Sequence, residues 1–210
     1  NLAASLAPRS LVELLNGAVY SELARVRAAS AVALGAVPAV AADVAEADEG
    51  GEAPAHIAAH RWLLRFDEDV DCASAGSAAW DAFTGGEPAD EIDAELLPLL
   101  GHEQTRVRQQ VALALAAACA SRPARLQQLL QRLFEAYKKF TLAPIDAKAR
   151  LMNPEMEEED REAAWWMRHG VALALAALAP HLDPKVQLPL VFAFLKRALG
   201  DDHETVAAAM

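Results

Sequence analysis

The chain has 210 residues and a formal net charge of −11, with 30 acidic against 19 basic side chains, which argues against a dedicated nucleic-acid binder. Hydrophobic residues make up 54% but aromatics only 6%. The surplus is mainly alanine, the strongest helix former, and no stretch sustains the period-two alternation of a half-buried strand. Cys72 and Cys119 lie in separate apolar runs without metal-ligand spacing, a pattern that suits a reducing, cytoplasmic interior and not a disulfide-stapled domain. No apolar run is long enough to span a bilayer. The opening NLAASLAPRS has neither a starting Met nor a signal-peptide layout, so the chain reads as a segment of a longer one.

In chain order, leucine-rich helices are predicted at LVELLNG, IAAHRWLLRF, IDAELLPLLGH, LQQLLQRLFEAY and VQLPLVFAFLKRAL. Each is followed by a short polar turn and a second, alanine-rich helix. The second helices open on the markers Val26-Arg27, Val70-Asp71, Val107-Arg108, Met167-Arg168 and Val206-Ala207. Three of the four separations fall near the roughly 40–47-residue period of HEAT and armadillo arrays, and the fourth is longer by about twenty residues. That excess places an inserted loop at about 141–160. Within the third unit Val107, Val111, Ala114, Leu115 and Ala118 share one helix face. Pro8, Pro98 and Pro189 lie in or beside first helices and are expected to bend them.

The expected fold is therefore all-α, a HEAT/armadillo-type α-solenoid. It would be one right-handed superhelix of about five helix pairs over residues 1–210. Its repeat core is expected to include Val26, Val70, Val107, Val111, Leu115, Trp165, Trp166, Arg168, Gly170, Val171 and Leu175. At least one of the two tryptophans should be buried where its helix begins.

Candidate chemistry is sparse. His102-Glu103 and His203-Glu204 have the His-Glu form used by an iron-binding HEAT enzyme class resembling deoxyhypusine hydroxylase, but both precede the markers and read as polar turn residues. His56 and His60 are one helical turn apart without a carboxylate or thiol at ligand spacing, and HIAAH lacks the general-base Glu of a zinc protease. No nucleophile elbow, phosphate loop or dinucleotide fingerprint is present, so neither enzyme activity nor cofactor nor metal is expected. The acidic tracts DVAEADEGGE (43–52) and EMEEED (155–160) read as solvated loops. One stretch runs against the acidic background. Arg122, Arg125, Arg132, Lys138, Lys139, Lys148 and Arg150 face only Glu135 and Asp146, a candidate positive ridge for a phosphate backbone or an acidic protein.

LLQRLFEAYKKF, then WWMRHGVALALAALAPHLDPKVQLPLVFAFLKRALGDDHETV, resembles a segment of the general-control translational activator family, which are very large HEAT-repeat proteins. The resemblance rests on Trp165 or Trp166, Arg168 and Gly170, on Phe192 and Phe194, and on Ala198, Leu199, Asp201, His203 and Val206. It covers roughly residues 60–210. Asp202 is one residue extra in that turn, and EMEEED departs from the family pattern. The resemblance implies a cytoplasmic, ribosome-binding scaffold that senses stalled ribosomes. It also implies activation of the initiation factor two alpha kinase in amino-acid starvation. That kinase and an ATP-binding-cassette partner would be engaged through other regions of the parent chain, with neither DNA nor membrane as partner. The alternative is another protein-protein scaffold or an importin-like nuclear transport receptor with an acidic concave face, the latter favoured less by the arginines opening the second helices (Arg27, Arg108, Arg168).

Overall fold

The structure is a computed structural model that describes residues 14–36, 53–83, 86–89, 92–120, 122–141, 154–201 and 203–210. Among these residues there is no strand; the described helices fall into five successive pairs. They are α1 (residues 14–18) with α2 (Ala24–Ala36), α3 (Ala53–Leu64) with α4 (Val70–Phe83), and α5 (Ile92–Leu96) with α6 (Thr105–Cys119). The last two pairs are α7 (Pro123–Thr141) with α8 (Pro154–Leu178), and α9 (Gln187–Ala198) with α10 (Glu204–Ala209). The chain divides into two compact units, Asn1–Glu95 and Leu96–Met210.

In the first unit α2 and α3 both pack on α4. In the second, α8 is the central helix, lying against α6, α7, α10 and the 3-10 turn Leu97–Gly101. The second helices share one burial register. It reads Cys72, Gly76, Ala79, Trp80 in α4 and Val107, Val111, Ala114, Leu115, Ala118 in α6. In α8 it reads Met167, Val171, Ala174, Leu175, Leu178. In α4 and α6 the first buried apolar residue is the third of the helix. This corrects the repeat marker of the second pair: Val70 opens α4 and is 80% exposed, while Cys72 takes the buried place that Val107 holds in α6. The local sequence hides this because Val70 is the more apolar residue but precedes the face by two positions, about 200° of helix. Val26 is half-buried, with Arg27, Ser30, Ala31 and Leu34 carrying the buried face of α2.

Two further expectations change. Trp165 and Trp166 are both half-buried; Met167, the next residue, is the one that enters the core. The tract EMEEED is helical, since α8 begins at Pro154, and only residues 142–153, outside the described residues, separate it from α7. Proline is pre-organised for a first helical position, and carboxylates in the opening turns complement the helix dipole, so this acidic run suits a helix start. DVAEADEGGE lies outside the described residues, as does Pro8. Pro98 does not bend a continuous helix. α5 ends at Leu96, and Pro98 stands at the start of the 3-10 turn, where its missing N–H leaves no intrahelical bond broken. Pro189 is in the first turn of α9, where proline is tolerated.

Small residues set how closely the helices approach. A Cβ built on Gly170 in α8 would lie 2.1 Å from the Leu100 carbonyl oxygen, and one on Gly76 in α4 would lie 2.5 Å from the Leu64 carbonyl carbon. Both obstacles are backbone, so neither side chain can swing away. Gly170→Ala and Gly76→Ala are each expected to destabilise the chain by about 3 kcal/mol or more, since overpacking costs typically 1–3 and more where backbone must shift. Gly17 has nothing within 4 Å, and Gly17→Ala should be neutral or slightly stabilising. Urea unfolding of the three variants checks this, and equal midpoints would show that the helices do not touch at these glycines.

Candidate functional site

The turns that lead into the second helices are built alike. Five residues before the first buried position, or before Val26 in α2, stand Ser21, Asp67, His102 and Asp201. Each side chain accepts a hydrogen bond from the backbone N–H two residues on. Ser21 Oγ takes that of Leu23 at 3.3 Å and Asp67 Oδ1 that of Asp69 at 3.0 Å. His102 Nδ1 takes that of Gln104 at 3.1 Å and Asp201 Oδ1 that of His203 at 2.9 Å. This is the local side-chain-to-backbone turn that Ser, Asp and Asn favour over helix continuation.

Arginines tie these turns together. Arg27 donates to the carbonyls of Ser21 (2.9 Å) and Glu22 (3.1 Å) in its own turn, and grips Asp67 with Nε and Nη2 at 2.7 and 2.8 Å. Arg108 donates to the carbonyls of His102 and Glu103 at 2.6 and 2.8 Å, in the same register. Its Nε lies 3.1 Å from Nδ1 of His169. Arg168 holds Asp201 through Nε and Nη2 at 2.8 and 3.0 Å and donates to the Phe140 carbonyl. Arg27, Arg108 and Arg168 are 1%, 0% and 7% exposed, which corrects their use in weighing an acidic concave face: they lie inside the units and say nothing about an exposed face. Asp67 and Asp201 were not singled out as their partners from sequence, although their fixed place before each second helix was a usable signal.

Burial acts on the groups around these pairs. It pushes the Asp201 carboxyl up, but hydrogen bonds from Arg168, Tyr137 and the His203 amide outweigh it and hold the group below the usual carboxylate range. Burial, then the charge on Arg108 and the nearby His203, push His169 down to about 4. Burial pushes the Cys72 thiol up to about 11, the Asp67 carboxylate adding to it, so the sulfur stays protonated and donates to the Ala24 carbonyl.

The basic residues singled out from sequence do not form one surface. On α7, Arg132, Lys138 and Lys139 are exposed with Glu135 among them. The opposite stripe of Leu126, Leu129, Leu130, Leu133 and Tyr137 is buried. Arg125 is 7% exposed, which corrects its place in the ridge: it stands beside the buried Leu126 and one turn before the buried Leu129, at the edge of the apolar stripe. Arg122 is half-buried and already engaged in contacts. Lys148 and Arg150 lie outside the described residues. The histidines have other occupations. His60 Nε2 is 2.8 Å from the Tyr20 hydroxyl, His102 caps its turn, and His203 stacks on Trp165 at 4.2 Å between centroids. The His56 side chain is outside the described set. Among the described residues no group of three or more His, Cys, Asp or Glu could hold a metal ion, and no helix is long and apolar enough to cross a membrane.

A family model described as stalled ribosome sensor GCN1, HEAT repeats, matches residues 49–210. The chain is 27% identical to stalled ribosome sensor GCN1 of Homo sapiens over 152 residues, 71% of this chain and 6% of that protein. It is 28% identical to protein ILITYHIA of Arabidopsis thaliana over 193 residues, 91% of this chain and 6% of that protein. The chain thus spans about 6% of the length of the curated relatives it matches. No solved structure matches it.

Two acid-sensitive contributions follow from the titrations. A group whose folded pKa is depressed stabilises above its unfolded pKa, and that stability is lost as pH falls through the folded value. His169 therefore costs stability from about pH 6.5 downward, and Asp201 from about pH 4 downward, on ordinary unfolded values. Asp201→Asn should cost about 3–5 kcal/mol at neutral pH by leaving Arg168 buried without its counter-charge. It should also flatten the decline below about pH 4, where Asp201 no longer titrates. Chemical denaturation at stepped pH reads both; an unchanged acid limb would show that Asp201 does not drive the decline.

Proposed function

The chain belongs to the HEAT-repeat family of stalled ribosome sensor GCN1, and on that premise we propose that it is a non-catalytic scaffold segment through which a larger cytoplasmic parent protein touches the ribosome. The single observation that carries the contact is the exposed face of α7. Arg132, Lys138 and Lys139 face solvent there on a helix whose other side is locked into the core by five buried residues. A rigid helix presenting cations from fixed positions suits phosphate contacts, which give register and salt-dependent affinity without reading sequence. The acidic remainder of the chain limits nonspecific RNA binding and confines the attraction to this face. Activation of the initiation factor two alpha kinase and engagement of an ATP-binding-cassette partner are assigned to other parts of the parent chain, with this segment setting their distance from the ribosome.

Deleting α7 would remove core residues, so point substitutions are the cleaner test. With Arg132, Lys138 and Lys139 all changed to Glu in the full-length parent, co-sedimentation with polysomes across a salt series should weaken. The salt slope should fall by about one for each phosphate that the variant no longer neutralises. Association that is indifferent to all three reversals would make the segment a spacer and place ribosome binding elsewhere in the parent.

A further inference from the structure

We propose that a groove between α7 and α9 docks a short acidic peptide segment of a partner protein, anchored by an aromatic or leucine side chain. A cavity of about 700 Å³ opens there, walled by Phe134 and Tyr137 of α7 and by Leu190, Ala193 and Phe194 of α9. Its size falls within the range of sites that enclose a ligand or an anchoring side chain. Both walls repeat at helical spacing, the pattern of grooves that receive apolar anchors set one turn apart. Leu190 is 46% exposed although it faces this cavity, so the groove holds apolar surface that the described residues leave uncovered.

Charge selects the occupant. Among the described side chains of the two wall helices, Arg132, Lys138, Lys139 and Lys196 are exposed cations and Glu135 is the exposed carboxylate. Lys138 lines the cavity itself. In a chain of net charge −11 this is a local inversion, complementary to an acidic segment. The cavity also reaches Arg168 and Asp201, but Asp201 answers the Arg168 guanidinium, so positive charge is offered by Lys138 at the rim while the interior stays apolar. Nucleic acid fits less well. Phe134 and Phe194 already stack on each other at 4.4 Å with planes 20° apart, which leaves no gap between the rings for a base.

The proposal does not depend on the ribosome contact. The two share the cations of α7, but the groove also needs its aromatic flank, and the groove-filling variants leave Arg132, Lys138 and Lys139 in place, so each can fail without the other. The test is fluorescence anisotropy of the full chain with a labelled peptide series carrying Phe and Leu one helical turn apart among glutamates. Matched peptides have the anchors changed to Ala or the glutamates to Gln. Saturable binding should weaken about tenfold, a 1.4 kcal/mol difference, on losing either the anchors or the charges. Ala193→Phe, which fills the groove, should weaken it similarly, as should Leu190→Glu, which sets like charge against the peptide. The two variants act independently, so a fold defect in one leaves the other informative, and thermal unfolding identifies such a defect. Failure of every peptide to bind overturns the proposal, as does binding untouched by both variants. Displacement of the peptide by a single-stranded RNA oligonucleotide would reassign the groove to nucleic acid. Binding seen only after deletion of residues 142–153 would make that segment the occupant.

Discussion

A buried guanidinium is tolerable only where carboxylates or carbonyls surround it, and the positions of Arg27 and Arg168 are set by that demand. Each reaches from a second helix, Arg27 near its start and Arg168 in its middle, to an aspartate 40 or 33 residues later, and each aspartate also caps the turn of the next pair. One carboxylate thus fixes two things at once, the local turn and the spacing to the preceding helix. Removing either partner would leave a charge in the interior, which is far costlier than losing an exposed ion pair. The apolar register of α4 and α10 follows from this, because the turn decides which residue is third in its helix.

Arg108 meets the same demand differently. The position corresponding to Asp67 and Asp201 in the fourth pair is Glu162, and α8 runs straight through it as helix. Arg108 keeps the carbonyls of its own turn and turns its Nε to His169, with the Trp165 ring 5.2 Å from its guanidinium carbon. Burial then pushes it down to about 10, still charged at neutral pH. His169, held neutral beside it, accepts a hydrogen bond that an imidazolium could not.

Much of the helical architecture was legible because alanine runs, leucine stripes and a period near that of known arrays reinforce one another. The helix pairs and the apolar faces of α6 and α8 follow from periodicity, whereas the close approach of Leu100 to Gly170 does not. What was hidden depends on partners distant in sequence. Val70 matched a marker by type while the three-dimensional register selected Cys72, and Arg125 was grouped with the exposed cations of α7 although the fold buries it. The acidic run at 155–160 was read as loop because charge density argues against packing, whereas its place at a helix start makes the same charges favourable. The aromatic groove was invisible as well, since Phe134 and Phe194 stand 60 residues apart and each alone reads as ordinary core.

The missing turn before α8 has a consequence for chain length. Where a cap stands five residues ahead of a second helix, adding or deleting one residue inside that interval would rotate the apolar face out of register. Ahead of α8 no such interval exists, for 25 residues of helix carry the phase unaided from Pro154. Length can change upstream of Pro154 without any effect on which side of α8 meets the core. That joint is therefore a place where a tag or an extra loop can be grafted with the packing of α8 kept.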